Sequence, residues 1–290
     1  MVYDFKYLRP YPPKYPLYPP YSKIEDYIEH YFFNFYKNNI KEFEKIDRQY
    51  LPIFWTTLYN DNVPVNTAEY LKALDPYKKY FTLIQHDDGV RYPLPEDTVV
   101  FSASENGYGK IYPIPLLTSP LPDNNNFLDK DIFCSFVGTI THPIRKTLYD
   151  LYSSKENFYF SEMKKWSPVI TSDKFEEFKN ITKRSKFTLC PRGNIIQSFR
   201  IYEILQLGSV PVIVSDNFTY PFREFFNWNE FSIIVKDPKD LESTLLGISD
   251  EHYNMLLTNG KEIYHEHFTL EKMCLNILDI LKYKYENRIM

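Results

Sequence analysis

The sequence predicts an α/β protein built on parallel β-sheets, and three observations support this class. Short apolar runs at residues 80–85, 98–102 and 186–190 have the length and composition of buried strands. Segments with helical character alternate with predicted strands, as at residues 66–74 between the strands at 50–57 and 80–85. Strands that alternate with helices indicate a parallel sheet whose two faces are both covered. We therefore expect mainly parallel sheets, with helices packed on either side.

A break in the pattern predicts two domains. Residues 118–131 contain Ser, Pro, Asp and three consecutive Asn residues, which interrupt any regular periodicity. The 290 residues are enough for two cores. We expect an N-terminal domain over residues 1–130 and a C-terminal domain over residues 131–290, with a last helix able to pack back on the first domain.

Within the first domain, the proline-rich residues 9–21 predict an extended arm packed on its own domain. The remaining elements predicted there are helices at 24–36 and 66–74 and strands at 50–57, 80–85 and 98–102. Trp55 fits a buried strand position, and the alternative is a platform for an acceptor sugar.

Within the second domain, a strand at 132–137 is expected to run into Gly138 and to be followed by a helix at 143–152. The further elements predicted are a helix at 175–181, a strand at 186–190 and successive helices from 238 to 283.

Composition excludes several classes of function. The net charge of −4 comes from 34 basic and 38 acidic residues spread along the chain, so we expect no basic face and no nucleic-acid partner. No run of about 20 apolar residues occurs, and the N-terminus lacks a signal-peptide core, so no membrane span is expected. Three widely spaced cysteines without metal-ligand spacing predict a reducing, cytoplasmic location.

The segment 185–216 reads as strand, loop, capped helix, glycine stop and strand, which is a βαβ unit. Ser198 is placed to cap the helix, whose free N–H groups and positive dipole end would face the loop at Gly193. Arg192 and Arg200 add two guanidinium groups, which suit phosphate oxygens. The segment therefore predicts a diphosphate-binding site.

Glu203 stands three residues after Arg200, on the same helical face. A carboxylate there could accept hydrogen bonds from two hydroxyl groups, as a ribose presents them. The alternative is a surface ion pair between the two side chains, worth well under ~1 kcal/mol.

Six motifs in this region resemble the exostosin family, glycosyltransferase family 47. They are Cys190-Pro-Arg-Gly193, Ser198-Phe-Arg-Ile-Tyr-Glu203, Gly208-Ser-Val-Pro-Val-Ile213, Ser215-Asp216, Pro221-Phe222 and Trp228. The resemblance is strongest over residues 132–235. Weaker similarity extends back through residues 85–89 to the Pro/Tyr-rich arm.

The resemblance implies a GT-B fold, in which two Rossmann-like domains face each other across a cleft. The C-terminal domain would bind the nucleotide-sugar and the N-terminal domain the acceptor. It also implies inversion at the anomeric carbon and no obligatory metal or cofactor beyond the donor. No Asp-X-Asp cluster stands beside the phosphate loop, and Arg192, Arg200 and Arg145 could supply the charge of a metal ion.

Within the family, the chain is similar to a small stand-alone viral xylosyltransferase that acts on capsid glycans, which would place it in the host cytoplasm. UDP-xylose is the first expectation for the donor, ahead of UDP-galactose, UDP-glucuronate and UDP-arabinose, with an oligosaccharide hydroxyl as acceptor. Many animal and plant relatives carry a membrane anchor that we do not expect here, so the compartment and the acceptor of those relatives are not assigned to this chain.

The rival hypothesis is a catalytically silent binding partner of an active glycosyltransferase, although Arg192, Arg200 and Glu203 are intact. The absence of a Gly-x-x-x-x-Gly-Lys-Ser/Thr run excludes a P-loop phosphotransferase.

An inverting transfer needs a general base for the acceptor hydroxyl. Residues 85–89 directly follow a predicted strand and supply three candidates, of which we favour Asp87 ahead of Asp88 and His86. The alternative is a solvated turn.

The segment from Gly138 through Thr139 to Arg145 predicts a second strand-to-helix turn where backbone amides meet phosphate. Arg145 would either reach the diphosphate or lie on the helix surface. His142 is expected to be structural, because Pro143 already explains the start of the helix.

Overall fold

The computed structural model describes residues 19, 21–60, 67–122, 128–163, 167, 169–215 and 217–285. The chain separates into two compact units. The first unit holds the described residues of Ser22–Ser119 and Leu270–Met290, and the second holds those of Tyr18–Tyr21 and Pro120–Thr269. The division after Ser119 falls within the predicted break at 118–131. Apart from Pro19 and Tyr21, which go with the second unit rather than the first, the predicted arm lies outside the described residues.

The first unit contains a four-stranded parallel sheet in the order β1-β2-β3-β4. Its strands are β1 (Gln49–Tyr50), β2 (Tyr80–Ile84), β3 (Val99–Ser102) and β4 (Lys110–Pro113). Every residue of β2 and β3 is buried, as expected when helices cover both faces of a parallel sheet. The helices before and between the strands are α1 (Ile28–Asn38), α2 (Ile40–Phe43), α3 (Trp55–Asn60) and α4 (Thr67–Lys72).

The predicted strand at 50–57 is wrong. Strand pairing ends at Tyr50, and α3 begins at Trp55. Pro52 has no N–H to donate to a neighbouring strand, so it cannot continue the ladder. Trp55 is fully buried, as expected, but it is buried from a helix, where its indole N–H donates to the Thr82 hydroxyl at 2.9 Å.

The second unit contains a five-stranded parallel sheet in the order β6-β5-β7-β8-β9. Its strands are β5 (Ile132–Thr139), β6 (Phe158–Met163), β7 (Ser185–Pro191), β8 (Val210–Val214) and β9 (Ile233–Val235). Its helices are α5 (Pro143–Tyr152), α6 (Ser172–Arg184), α7 (Phe199–Gln206), α8 (Leu241–Leu246) and α9 (Asp250–His267), after which α10 (Leu270–Tyr285) belongs to the first unit. The predicted α/β class with parallel sheets is confirmed, whereas β4, β6 and β9 had not been predicted.

Helix α5 has the two ends that the sequence predicts. His142 caps it, since its Nδ1 atom accepts the Ile144 N–H at 3.2 Å, and Pro143 occupies the first turn. The preceding strand is longer than predicted, because Gly138 and Thr139 continue the pairing of β5 with β6. Both residues therefore lie on a strand, and the turn to α5 is confined to residues 140–142.

The C-terminal end of α7 is also as predicted. Gly208 adopts a φ of 70°, a left-handed conformation that suits glycine and ends the helix before β8. Among the helices of the described ranges, none is both long enough and apolar enough to cross a membrane.

Candidate functional site

Two arginines meet at the carboxyl end of β5. The Arg200 guanidinium, from the first turn of α7, donates to the Val137 carbonyl. The Arg145 guanidinium, from α5, donates through Nη1 to the Thr139 carbonyl at 2.9 Å. In open parallel sheets, ligands bind outside the carboxyl ends of the strands. The two guanidinium groups thus give the ligand edge of this sheet a concentrated positive charge.

Arg145 also fixes the loop after β7. Its Nε donates to the Arg192 carbonyl at 2.9 Å, and its Nη2 donates to the Pro191 carbonyl at 3.1 Å. A Cβ on Gly193 would lie 3.1 Å from that Nη2, so glycine allows the close approach. The side chain is half-buried and differs from the surface arginine that was the alternative. Arg145 therefore ties two strand ends together, and its contact with a diphosphate stays a prediction.

Replacing Arg145 with alanine is expected to destabilise the protein by about 3 kcal/mol, because three carbonyls lose a charged donor. Arg145→Lys should recover only part of this, since one ammonium group cannot reproduce the fork of the guanidinium. The measurement is urea unfolding. Lys146→Ala, which removes one exposed ion pair with Asp150, is the matched control and should cost about 0.5 kcal/mol or less. Equal losses for the alanine variants at 145 and 146 would contradict the bridging role.

The Thr139 hydroxyl is a buried polar group without a hydrogen-bond partner among the described residues. The side chain is only 7% exposed, and it ends β5 beside the carbonyl that Arg145 contacts. Buried polar groups are rarely left unpaired, and an exception calls for a ligand or a water molecule that completes it. The sequence predicted a contact between phosphate and backbone amides here, and a phosphate contact of Thr139 stays a prediction.

Helix α7 begins at the same edge. The Ser198 hydroxyl caps it by accepting the Arg200 N–H at 3.3 Å. The Arg200 guanidinium lies over the Phe178 ring, 4.2 Å from its centroid, so that the aromatic face holds the cation while it reaches β5. The Arg200 and Ile201 N–H groups of the first turn are both engaged by Ser198, so the feature of this helix start that suits an anion is its positive dipole end.

Glu203 lies one turn further along α7 and is buried, with 7% of its surface exposed. Its Oε1 atom accepts a hydrogen bond from the Tyr21 hydroxyl at 2.7 Å. Burial raises the pKa of this carboxyl, while the charge of Arg200 and the Tyr21 hydrogen bond oppose the rise. A surface ion pair does not describe this residue, because the carboxylate is buried and the Arg200 guanidinium contacts β5.

The other predicted residues lie in the first unit, in the loop after β2. His86 is half-buried, and its Nδ1 accepts the Asp88 N–H at 3.2 Å. The Asp88 carboxylate pairs with Arg91, whose hydrogen bond lowers the pKa of Asp88. Burial lowers the pKa of His86.

Asp87 is exposed, like Asp88 and unlike the half-buried His86. Its backbone carbonyl accepts hydrogen bonds from Ser104 at 2.6 Å and Asn106 at 2.9 Å, which fix the backbone of the loop. Gly89 closes the turn with a φ of 61°. The geometry is thus a well-anchored turn with two exposed carboxylates, of which Asp88 pairs with Arg91, and the catalytic role of Asp87 stays a prediction.

Glu29 is a residue that sequence reasoning missed. It lies on α1 with 1% of its surface exposed, and its carboxylate accepts the Thr56 hydroxyl at 2.8 Å, the Thr56 N–H at 3.3 Å and the Gln85 N–H at 3.2 Å. It therefore joins the start of α3 to the residue just before His86. An acidic residue on the apolar face of an aromatic-rich helix was the available signal.

Protonation of Glu29 is expected to influence stability. Burial raises its pKa from the ordinary 4.5 to about 7, so the folded state holds the proton more tightly. This contribution is complete below pH 4.5 and is lost as the pH rises to about 7. The adjacent His30 acts in the opposite sense, since burial lowers its pKa from 6.5 to about 4 and its contribution is lost as the pH falls.

A comparison of wild type with Glu29→Gln separates the two effects, because His30 is common to both. The unfolding free energy of wild type minus that of Glu29→Gln should fall by about 2 kcal/mol between pH 5 and pH 8. Urea unfolding at several pH values measures this. The exposed Glu44→Gln is the control for replacing a glutamate of the same unit. A flat difference for Glu29→Gln would show that its carboxyl titrates normally.

In the part of the chain that the structure describes, no three His, Cys, Asp or Glu side chains are grouped so that they could hold a metal ion.

Two units, each built on a parallel sheet with helices, define a protein of the α/β class, and the second unit gathers two guanidinium groups and a capped helix at its strand ends. The exostosin GT47 domain model matches residues 72–246. The chain therefore belongs to the exostosin GT47 family, as its motifs indicated.

Relatives from plants and animals match shorter stretches. A probable glycosyltransferase of Arabidopsis thaliana is 32% identical over 126 residues, which is 43% of this chain and 23% of that protein. The exostosin-1 homolog of Caenorhabditis elegans is 29% identical over 116 residues, or 39% of this chain and 30% of that one. The matched part thus spans less than a third of these relatives. A crystal structure of alpha1,3-fucosyltransferase is similar with a TM-score of 0.41 and 16% identity, covering 73% of this chain and 76% of that chain.

Proposed function

We propose that this protein is a glycosyltransferase that moves a sugar from a UDP-sugar to a hydroxyl group of a glycan. The observation that carries the proposal is the gathering of Arg145, Arg200 and the capped start of α7 at the carboxyl ends of β5 and β7, with Glu203 buried on the same helix. Membership of the exostosin GT47 family supports the reaction class.

In this proposal, the diphosphate lies at the start of α7. Arg192 and Arg200 neutralise it, Thr139 and the positive dipole end of α7 lie beside its oxygens, and Gly193 lets the backbone come close. Ser198 caps the start of α7, which faces the ligand, and Gly138 has no side chain that would fill the space at the end of β5. Arg145 holds the loop and adds positive charge. The Glu203 carboxylate accepts hydrogen bonds from the ribose hydroxyls.

The proposed reaction is a single displacement with inversion. The acceptor oxygen forms a bond to the anomeric carbon as the bond from that carbon to the UDP oxygen breaks, and UDP leaves with the electron pair. Asp87 takes the proton of the acceptor hydroxyl. The negative charge that develops on UDP is met by Arg192, Arg200 and the α7 dipole, so we propose that transfer requires no metal.

Xylose is the first candidate for the transferred sugar, and this choice comes from the resemblance to a viral xylosyltransferase. Galactose, glucuronate and arabinose follow. A cytoplasmic place of action, in a host cell if the protein is viral, belongs to the same proposal. The identity of the acceptor glycan is open.

The first experiment is a thermal-shift panel with UDP, GDP, UDP-xylose, UDP-galactose, UDP-glucuronate and GDP-fucose. Selective stabilisation by UDP and one UDP-sugar is expected, and the size of the shift ranks the sugars.

The second experiment measures turnover of that UDP-sugar with and without a chelator, and activity that needs added Mn²⁺ would contradict the metal-free step. UDP binding without turnover under any acceptor would favour the silent partner, and no shift with any nucleotide would overturn the proposal.

A further inference from the structure

Tyr21 takes part in the candidate site although it lies far from it in sequence. Its hydroxyl donates to Oε1 of Glu203 at 2.7 Å, across 182 residues of chain. Its ring stacks on Phe175 of α6, with the ring centroids 5.3 Å apart and the planes inclined by 25°. Both contacts lie inside the second unit. The tyrosine is thus held at its ring and at its hydroxyl group.

The apolar surroundings explain why the ring stays in place. Tyr21 packs against a cluster of buried side chains that includes Val137, Phe178 and Leu207. An anchored aromatic ring carries its hydroxyl at low entropic cost, because only two side-chain torsions have to be fixed. The direction of the Tyr21 hydroxyl is therefore set by packing and does not depend on a ligand.

The hydrogen bond in turn restricts the carboxylate. A buried carboxylate needs strong donors, and a short hydrogen bond to a charged acceptor is among the stronger interactions of its kind. Because Tyr21 engages Oε1, the carboxylate cannot rotate freely, and Oε2 becomes the oxygen that a ligand would meet.

We infer that Tyr21 is a positioning residue for the donor nucleotide, which fixes the Glu203 carboxylate so that Oε2 can receive a ribose hydroxyl. The inference rests on the proposed function, since it takes Glu203 to be the ribose ligand. It adds to the donor site a residue from the end of the Pro/Tyr-rich segment, which lies outside the βαβ unit.

The competing view is that the Tyr21 hydroxyl occupies the place of a ribose hydroxyl and has to leave before the donor binds. The two views predict opposite effects of removing the hydroxyl. A positioning residue strengthens UDP binding, whereas an occupant of the ribose position weakens it.

The test is isothermal titration calorimetry of UDP with wild type, Tyr21→Phe and Tyr159→Phe. Tyr21→Phe keeps the ring on Phe175 and removes only the hydroxyl, so its dissociation constant for UDP should rise about tenfold while the protein stays folded, with a melting temperature lowered by a few degrees at most. Tyr159 also donates to a glutamate of the same unit, Glu177, at 3.3 Å, so Tyr159→Phe is a matched control and should bind UDP normally. Unchanged or tighter binding by Tyr21→Phe would overturn the inference.

The pH dependence of UDP binding is a second readout that a purely structural role would not move. Among the described residues, the charged and titratable groups that face Glu203 are Arg200 on the same helix, the Cys190 thiol on β7 and Tyr21. Loss of the Tyr21 hydrogen bond should raise the pKa of Glu203 further above its ordinary range. UDP affinity should therefore begin to fall at a higher pH in Tyr21→Phe than in wild type as the solution is acidified. Superimposable pH curves would contradict the inference.

Glu203→Gln separates a failure of this inference from a failure of the proposed function. If wild type binds UDP and Glu203→Gln does not, while Tyr21→Phe binds like wild type, the donor site stands and the role of Tyr21 falls. If wild type does not bind UDP, the proposed function fails and the inference fails with it.

Discussion

Glu203→Ala is expected to lose most of the affinity for UDP and nearly all sugar transfer. The carboxylate is buried on α7, and hydrogen bonds to a charged group contribute about 1.5 to 3 kcal/mol each. Loss of such contacts to the ribose corresponds to a rise of about 100-fold in the dissociation constant for UDP. The measurement is calorimetric titration with UDP, followed by the rate of sugar transfer.

The fold should tolerate this change, because burial already disfavours the ionised form of Glu203. Far-UV circular dichroism and the melting temperature check this point. Glu203→Gln keeps the side-chain volume and serves as a second variant, and Glu262→Ala on the exposed face of α9 is the control for removing a glutamate from the same unit. Normal UDP affinity and transfer in a folded Glu203→Ala would contradict its role as a donor ligand.

Asp87→Asn is expected to lower kcat by about 10²- to 10⁴-fold, the usual contribution of a general base. Affinity for UDP should stay within about twofold of wild type, because a base acts on the acceptor and not on the nucleotide. Single-turnover transfer with saturating donor measures the first effect, and calorimetric titration the second.

The neighbouring residues provide the comparison for Asp87. The Asp88 carboxylate is engaged by Arg91, which lowers the pKa of Asp88 and makes it a poorer acceptor of a proton. Asp88→Asn and His86→Ala should therefore keep most of the activity. If one of these variants is inactive while Asp87→Asn works normally, the loop keeps its catalytic role and the base is a different residue.

The elements that local sequence specifies were predicted well. The βαβ unit from β7 to β8 appears with Ser198 as the cap and Gly208 as the stop, and α5 begins and ends where the sequence predicts. A capping side chain, a proline in the first turn and a glycine after the last turn act on helix ends through residues within a few positions of one another. These local preferences predict the folded structure well because they do not depend on distant partners.

Elements whose conformation depends on distant contacts were predicted poorly. Residues 50–57 are apolar and aromatic enough for a strand, yet α3 begins at Trp55, whose indole is satisfied by Thr82 of β2. Periodicity cannot separate a short buried strand from a short buried helix. Gly138 and Thr139 likewise extend β5 because β6, which had not been predicted, pairs with them.

The sequence by itself determined the α/β class, the capped start of α7 and the family, and it supplied the candidates Arg192, Arg200 and Glu203. These depend on the type of each residue and on its spacing along one βαβ unit. The tertiary structure decided what the polar groups contact. Arg145 reaches three carbonyls, Glu29 joins the start of α3 to Gln85, and Tyr21 reaches Glu203 across 182 residues. A hydrogen bond forms between groups that the packed core brings within about 3 Å of each other, and the order of residues along the chain does not contain that distance.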